Sequence, residues 1–183
     1  ILKNGGNAID AAVAISFALA VTHPSAGNLG GGGFMIIKFS DGLTTSIDFR
    51  EKAPINSFKD MYLDDDGNVI DGLSTESIVS TGVPGTVAGL GYAHEKYGLL
   101  SWNDLVYPSF LLAKYGFNLD YQNMSILNNP SVKEKLSKDE GTKHIFIKDD
   151  LYVLNEVFIQ KDLSRTLKRI GEFGYKEFYH GQT

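Results

Sequence analysis

Thr22-His-Pro-Ser-Ala-Gly-Asn-Leu-Gly-Gly-Gly-Gly-Phe34 is the stretch on which the reading of this fold turns, with Asp48-Phe-Arg-Glu-Lys-Ala-Pro54 close behind it. Four consecutive glycines, Gly30 to Gly33, oblige the backbone either to bend or to admit something very close. Upstream, Ala8 to Val21 reads as a helix, and downstream Phe34 to Phe39 reads as a strand. A phosphate-binding loop has the opposite order, a strand feeding the glycines and a helix following, so that helix N-terminal amides face the anion. There is also no Gly-Lys-Ser/Thr ending. The quartet therefore reads as a place where a helix and a strand pack with little between them.

Working outward, Asn7 is placed to cap a helix over Ala8 to Val21, which is small and apolar on every side except at Asp10 and Ser16. Such a helix belongs in a core. Asp10 in its first turn suits the positive end of the helix dipole, with a catalytic role as the alternative. Beyond the glycines, Phe34 to Phe39 and Leu43 to Phe49 flank Ser40-Asp-Gly42 and predict a hairpin. The first strand is apolar at nearly every residue, which predicts cover on both faces. Arg50 lies at the exit of the second strand, before Pro54 stops further pairing.

Asp60 to Asp71 is rich in carboxylates but lacks calcium-loop spacing. With Gly67 at the sixth position, Tyr62 and Leu73 would occupy ligand positions. A hairpin with Asp66-Gly67 at its turn is expected instead. Ser80 to Thr86 leads into a helix over Val87 to Tyr97, closed by Gly98, with Gly89 and Gly91 marking close packing and His94 in a structural role. Ser101 to Asp104 resembles a capping box opening a helix through Tyr115, which Pro108 should kink or confine. Tyr121 to Asp150 is polar and broken, with one short helix predicted over Val132 to Leu136. Asp162 is expected to cap a helix that carries Leu163, Leu167 and Ile170 on one side.

With 183 residues, 43% of them hydrophobic, the chain can bury a core, and residues 1–183 are expected to form a single partial domain. A net charge of -5 with scattered lysines and arginines argues against a nucleic-acid or anionic-membrane surface. The absence of cysteine excludes disulfides, zinc-thiolate sites and a cysteine nucleophile. The longest apolar run, Ala11 to Val21, is too short for a membrane segment. Ile1 to Gly6 reads as the last turn of a helix, and Phe178 to Thr183 follows a helical stretch, so a fragment of a longer polypeptide is expected.

A complete catalytic set cannot be assembled. His23, His94, His144 and His180 are not spaced as metal pairs, and there is no Gly-x-Ser-x-Gly elbow. Arg50 is the candidate ligand contact, because a guanidinium fork grips a carboxylate through two parallel bonds. The competing role is a salt bridge to Asp48, Glu51 or a distant acid.

Gly5-Gly-Asn-Ala-Ile-Asp-Ala-Ala12, Ala20 to Phe34 and Asp48 to Pro54 closely resemble the large-subunit region of gamma-glutamyltransferases, or gamma-glutamyltranspeptidases. Ser80 to Leu90, His94 to Gly98, Trp102 with Pro108, Gln160 to Leu163 and Phe178 to Gly181 are similar to later landmarks of that family in the same order. The resemblance implies an α+β chain that is part of an N-terminal nucleophile hydrolase αββα four-layer sandwich. It implies a precursor that cuts itself, and a heterodimer with the small subunit. The small subunit's N-terminal threonine would take the gamma-glutamyl group of glutathione or a related compound and pass it to water or an amine. It maps substrate α-carboxylate binding onto Arg50 and places no catalytic residue, metal or cofactor in this chain, which alone would be inactive. A periplasmic or secreted location follows from the same resemblance, with any leader lying ahead of Ile1. A same-fold cephalosporin acylase or poly-gamma-glutamate depolymerase, or a non-catalytic small-molecule binding module, are the alternative readings.

Overall fold

The computed structural model describes all 183 residues, Ile1–Thr183. After a 3-10 turn at Leu2–Asn4, the chain forms α1 (Ala8–Thr22), β1 (Phe34–Lys38) and β2 (Thr44–Asp48). It continues through α2 (Thr86–Tyr97), α3 (Trp102–Tyr115), β3 (Phe117–Asn118), α4 (Tyr121–Asn128), α5 (Pro130–Leu136) and α6 (Glu140–Phe146). Then come β4 (Val157–Phe158), α7 (Lys161–Phe173) and α8 (Glu177–His180). The strands make two antiparallel pairs, β1 with β2 and β3 with β4. The chain divides into two compact units, residues 1–28 with 90–183, and residues 29–89.

In the first unit, α3 packs against both α1 and α7. The expected core helix is present: Val13, Phe17 and Val21 of α1 are wholly buried, as are Leu105 and Val106 of α3 and Leu167 and Ile170 of α7. Phe17 meets Trp102 edge to face with centroids 5.4 Å apart, an arrangement favoured by the ring quadrupoles. The indole Nε1 of Trp102 donates to the Ile170 carbonyl at 2.8 Å, tying α3 to α7. His94 is structural as read, with Nε2 2.7 Å from the Leu100 carbonyl oxygen and its ring against Trp102. Gly91 on α2 gives room to the ring of Tyr175, where any Cβ would overlap it.

Asn7 caps α1 as expected, its Oδ1 accepting from the amides of Ile9 and Asp10. Asp10 does more than complement the dipole. Its carboxylate is completely buried and accepts from Asn7 N at 2.9 Å, completing a capping box, and from Leu99 N at 3.0 Å and Leu100 N at 3.4 Å. The Asn7 Nδ2 donates to the Tyr97 carbonyl at 2.7 Å. The first turn of α1 thus clamps the connection between α2 and α3. At the other end of α1, the buried amides of Gln160 and Asn123 donate to the carbonyls of Val21 and Thr22, which have no partner within the helix.

Three sequence expectations need correction. Tyr121 to Asp150 holds three short helices rather than one, each opened by a side-chain cap on Asp120, Asn129 or Asp139. They shelter a small core of Leu119, Leu127, Tyr152 and Phe158. The last long helix begins at Lys161 with Gln160 before it, and Asp162 lies inside the first turn, where it pairs with Arg165. The outer side of β1 is open, with Phe34 65% and Ile36 78% exposed, while Ile37 on the other face is buried. The alternation of a half-buried strand, rather than a doubly covered one, is what this chain displays.

Glu156 accepts two bonds from Lys148 Nζ, at 2.7 and 2.8 Å, and one from Val153 N at 3.0 Å. The Lys148 bond, then the amide, hold its carboxyl below the usual range. A carboxyl whose folded-state pKa is depressed stabilises the fold above its unfolded value, roughly 4.3, and loses that contribution as pH falls through the folded value. The thermal-midpoint gap between the parent and Glu156→Gln is therefore expected to be widest near neutrality and to close below about pH 4.

Candidate substrate-binding site

The second unit is built around the hairpin. β1 and β2 pair in the register Phe34 with Asp48, Ile36 with Ser46 and Lys38 with Thr44. Asp41 and Gly42 make the turn, with Gly42 at φ 89° and Asp41 Oδ1 accepting from Leu43 N. The ladder runs one pair beyond the strands: Phe49 N donates to Gly33 O at 3.0 Å and Gly33 N to Phe49 O at 3.3 Å.

There the question raised by the glycine quartet is answered. What comes close is the chain's own segment Phe49–Arg50–Glu51. A Cβ at Gly32 would stand 2.6 Å from Phe49 O, 2.8 Å from Glu51 N and 2.9 Å from Arg50 Cα. One at Gly33 would press on the Phe49 ring at 3.0 Å. From the other side, a Cβ at Gly85 would overlap the Phe49 carbonyl and one at Gly89 the Phe49 ring. Gly31 O accepts from Gly85 N at 2.8 Å and Thr86 N at 3.0 Å, while Lys52 and Val83 exchange bonds of 3.1 and 2.7 Å. Close packing explains Gly32 and Gly33, and it reaches the start of α2 as well as the strand.

Arg50 emerges from this braced backbone. Its amide donates to Asp48 Oδ1 at 3.0 Å, so Asp48 is engaged at the main chain. The guanidinium meets Glu51 through Nε, 3.4 Å from Oε2, with 65% of the arginine side chain exposed. Its Cζ lies 5.8 Å from the centroid of the Phe34 ring. Of the competing acids, Glu51 is the one found, but an exposed pair of this kind is worth about 0–1 kcal/mol. Sequence reasoning located Arg50 at the strand exit and missed Phe34; the even spacing of Phe34, Asp48 and Arg50 along a paired ladder could have revealed it.

A family model described as gamma-glutamyltranspeptidase matches residues 1–183. The chain belongs to the gamma-glutamyltranspeptidase family. It is 48% identical over 183 residues to the glutathione hydrolase proenzyme of Pseudomonas sp. strain A14, covering 100% of this chain and 32% of that protein. It is 47% identical over 182 residues to the proenzyme of Escherichia coli K12, covering 99% of this chain and 31% of that one. The solved gamma-glutamyltranspeptidase of Helicobacter pylori superposes with a TM-score of 0.93 at 45% identity, over 99% of this chain and 52% of that one. A cephalosporin acylase of Bacillus halodurans, 22% identical with a TM-score of 0.71, shares the fold. The chain spans about a third of the curated relatives' length. It is α+β, and its fold is part of that of the N-terminal nucleophile hydrolases. None of its helices is long and apolar enough to cross a membrane.

Proposed function

We propose that this chain is a partial domain from the large subunit of a gamma-glutamyltransferase, or glutathione hydrolase, and that Arg50 holds the α-carboxylate of the gamma-glutamyl group. The observation that carries the reading is a largely exposed arginine side chain on a backbone fixed from both sides by glycines, in a chain that matches the family along its whole length. Its planar fork suits a carboxylate, which accepts two parallel charge-assisted bonds.

The bond-breaking atom belongs elsewhere in the precursor. A threonine hydroxyl is a weak nucleophile that can use its own free α-amine as the base, which requires threonine to be the first residue of its chain. That threonine would open the small subunit, attack the gamma-glutamyl amide and form an acyl-enzyme, which water or an acceptor amine then resolves. In this division of labour the chain described here binds and orients, and it is silent without its partner subunit. Work outside the cytoplasm, in the periplasm or secreted, suits the reading.

The test is Arg50→Lys in the full-length enzyme, assayed with gamma-glutamyl-p-nitroanilide. KM is expected to rise about tenfold to a hundredfold, since a point charge forfeits one charge-assisted bond of roughly 1.5–3 kcal/mol. Self-cleavage of the precursor should proceed normally. Unchanged kinetics would remove Arg50 from substrate binding, and no release of nitroaniline by the parent enzyme would overturn the activity itself.

A further inference from the structure

Side chains on paired strands alternate between faces, so the register places Phe34, Asp48 and Arg50 on one side of the ladder. Phe34 and Arg50 are diagonal neighbours there, a separation that an aromatic ring and a long side chain can bridge. Gly32, opposite Arg50, offers no side chain, and its backbone approaches so closely that a Cβ would stand 2.9 Å from Arg50 Cα. The guanidinium therefore finds the Phe34 ring on that flank, 5.8 Å from Cζ to the ring centroid. This is within the range at which a ring's negative face attracts a guanidinium.

We propose that Phe34 is a positioning residue for Arg50, its ring steadying the guanidinium so that both terminal nitrogens meet the ligand carboxylate together. The proposal rests on the carboxylate-binding reading of Arg50 given above. An exposed arginine samples many rotamers, and apparent affinity falls in proportion to the fraction of time spent in the competent one. The Nε contact with Glu51 restrains the inner end of the group, and the ring restrains its plane. Ile36, two residues along the same outer face and further from Arg50, supplies a control.

The experiment uses the full-length enzyme with gamma-glutamyl-p-nitroanilide and, in parallel, 4-aminobutyryl-p-nitroanilide, which lacks the α-carboxylate. Phe34→Leu is expected to raise KM for the first substrate roughly three- to tenfold, in keeping with an exposed-to-partly-desolvated cation–π contact. kcat should stay within about twofold, and kcat/KM for the second substrate should be unaffected. Phe34→Tyr should restore KM, and Ile36→Ala should leave it unchanged. Pentafluorophenylalanine at position 34 keeps the ring's shape while reversing the charge of its face, and should reproduce the leucine effect without a folding defect. A parental KM in both the leucine and the pentafluoro variants, where Arg50→Lys raises KM, overturns the role of Phe34. If Arg50→Lys also keeps the parental KM, the carboxylate reading is what has failed, and this proposal goes with it.

Discussion

Asp10→Ala is expected to lower stability by about 3 kcal/mol, because a buried amide left without its acceptor costs roughly 1–3 kcal/mol and three of them, at Asn7, Leu99 and Leu100, share this carboxylate. Three such amides sum to about 3–9 kcal/mol, and the low end is expected because Leu99 is 69% exposed and water can reach its neighbourhood. Asp10→Asn should fall between parent and alanine, because one carboxyl oxygen survives as an amide oxygen and the other becomes a donor facing donors. The thermal midpoint and soluble yield of the full-length polypeptide are the readouts. An alanine variant as stable as the parent would mean that the clamp on the α2–α3 connection carries no weight.

Gly85→Ala is the second large effect, at about 3 kcal/mol, the upper end of typical overpacking costs. The obstruction is a backbone carbonyl, that of Phe49, rather than the end of a flexible side chain. Relief requires Gly85 and Thr86 to withdraw from Gly31 O, and those bonds fix the start of α2 against the segment carrying Arg50. The variant is therefore expected to raise KM for gamma-glutamyl substrates as well as to lower the thermal midpoint. Gly42→Ala is the comparison: nothing lies within 4 Å of its Cβ position, and only its φ of 89° opposes a side chain. Its cost should be about 1–2 kcal/mol, with KM unaffected. A Gly85 variant that behaves like the Gly42 one would show that the close approach is not needed.

Local chemistry made much of this chain readable in advance. Asn7 announced α1, and Asp41-Gly42 announced the hairpin. The failures share a cause, namely partners distant in sequence or too few residues to show a period. Asp10 reads as an ordinary first-turn acid until residues 97–100 are folded onto it. Helices α4 to α6 span only seven or eight residues each, too short for an apolar stripe to rise above the polar background, and capping chemistry alone marks them. The glycine quartet showed that something must come near, while its neighbour could be named only once strand register was known.

The packing of α1 against α3 has a further consequence during synthesis. α1 leaves the ribosome about 80 residues before α3 and about 140 residues before α7, whose burial of Leu167 and Ile170 completes the same unit. At a translation speed of about 5–20 residues per second, this nearly uncharged helix waits roughly 7–28 s for its last partner. Over that interval its apolar surface is exposed to other nascent chains, so the α1 segment is a stretch that holdase chaperones should cover until α7 emerges.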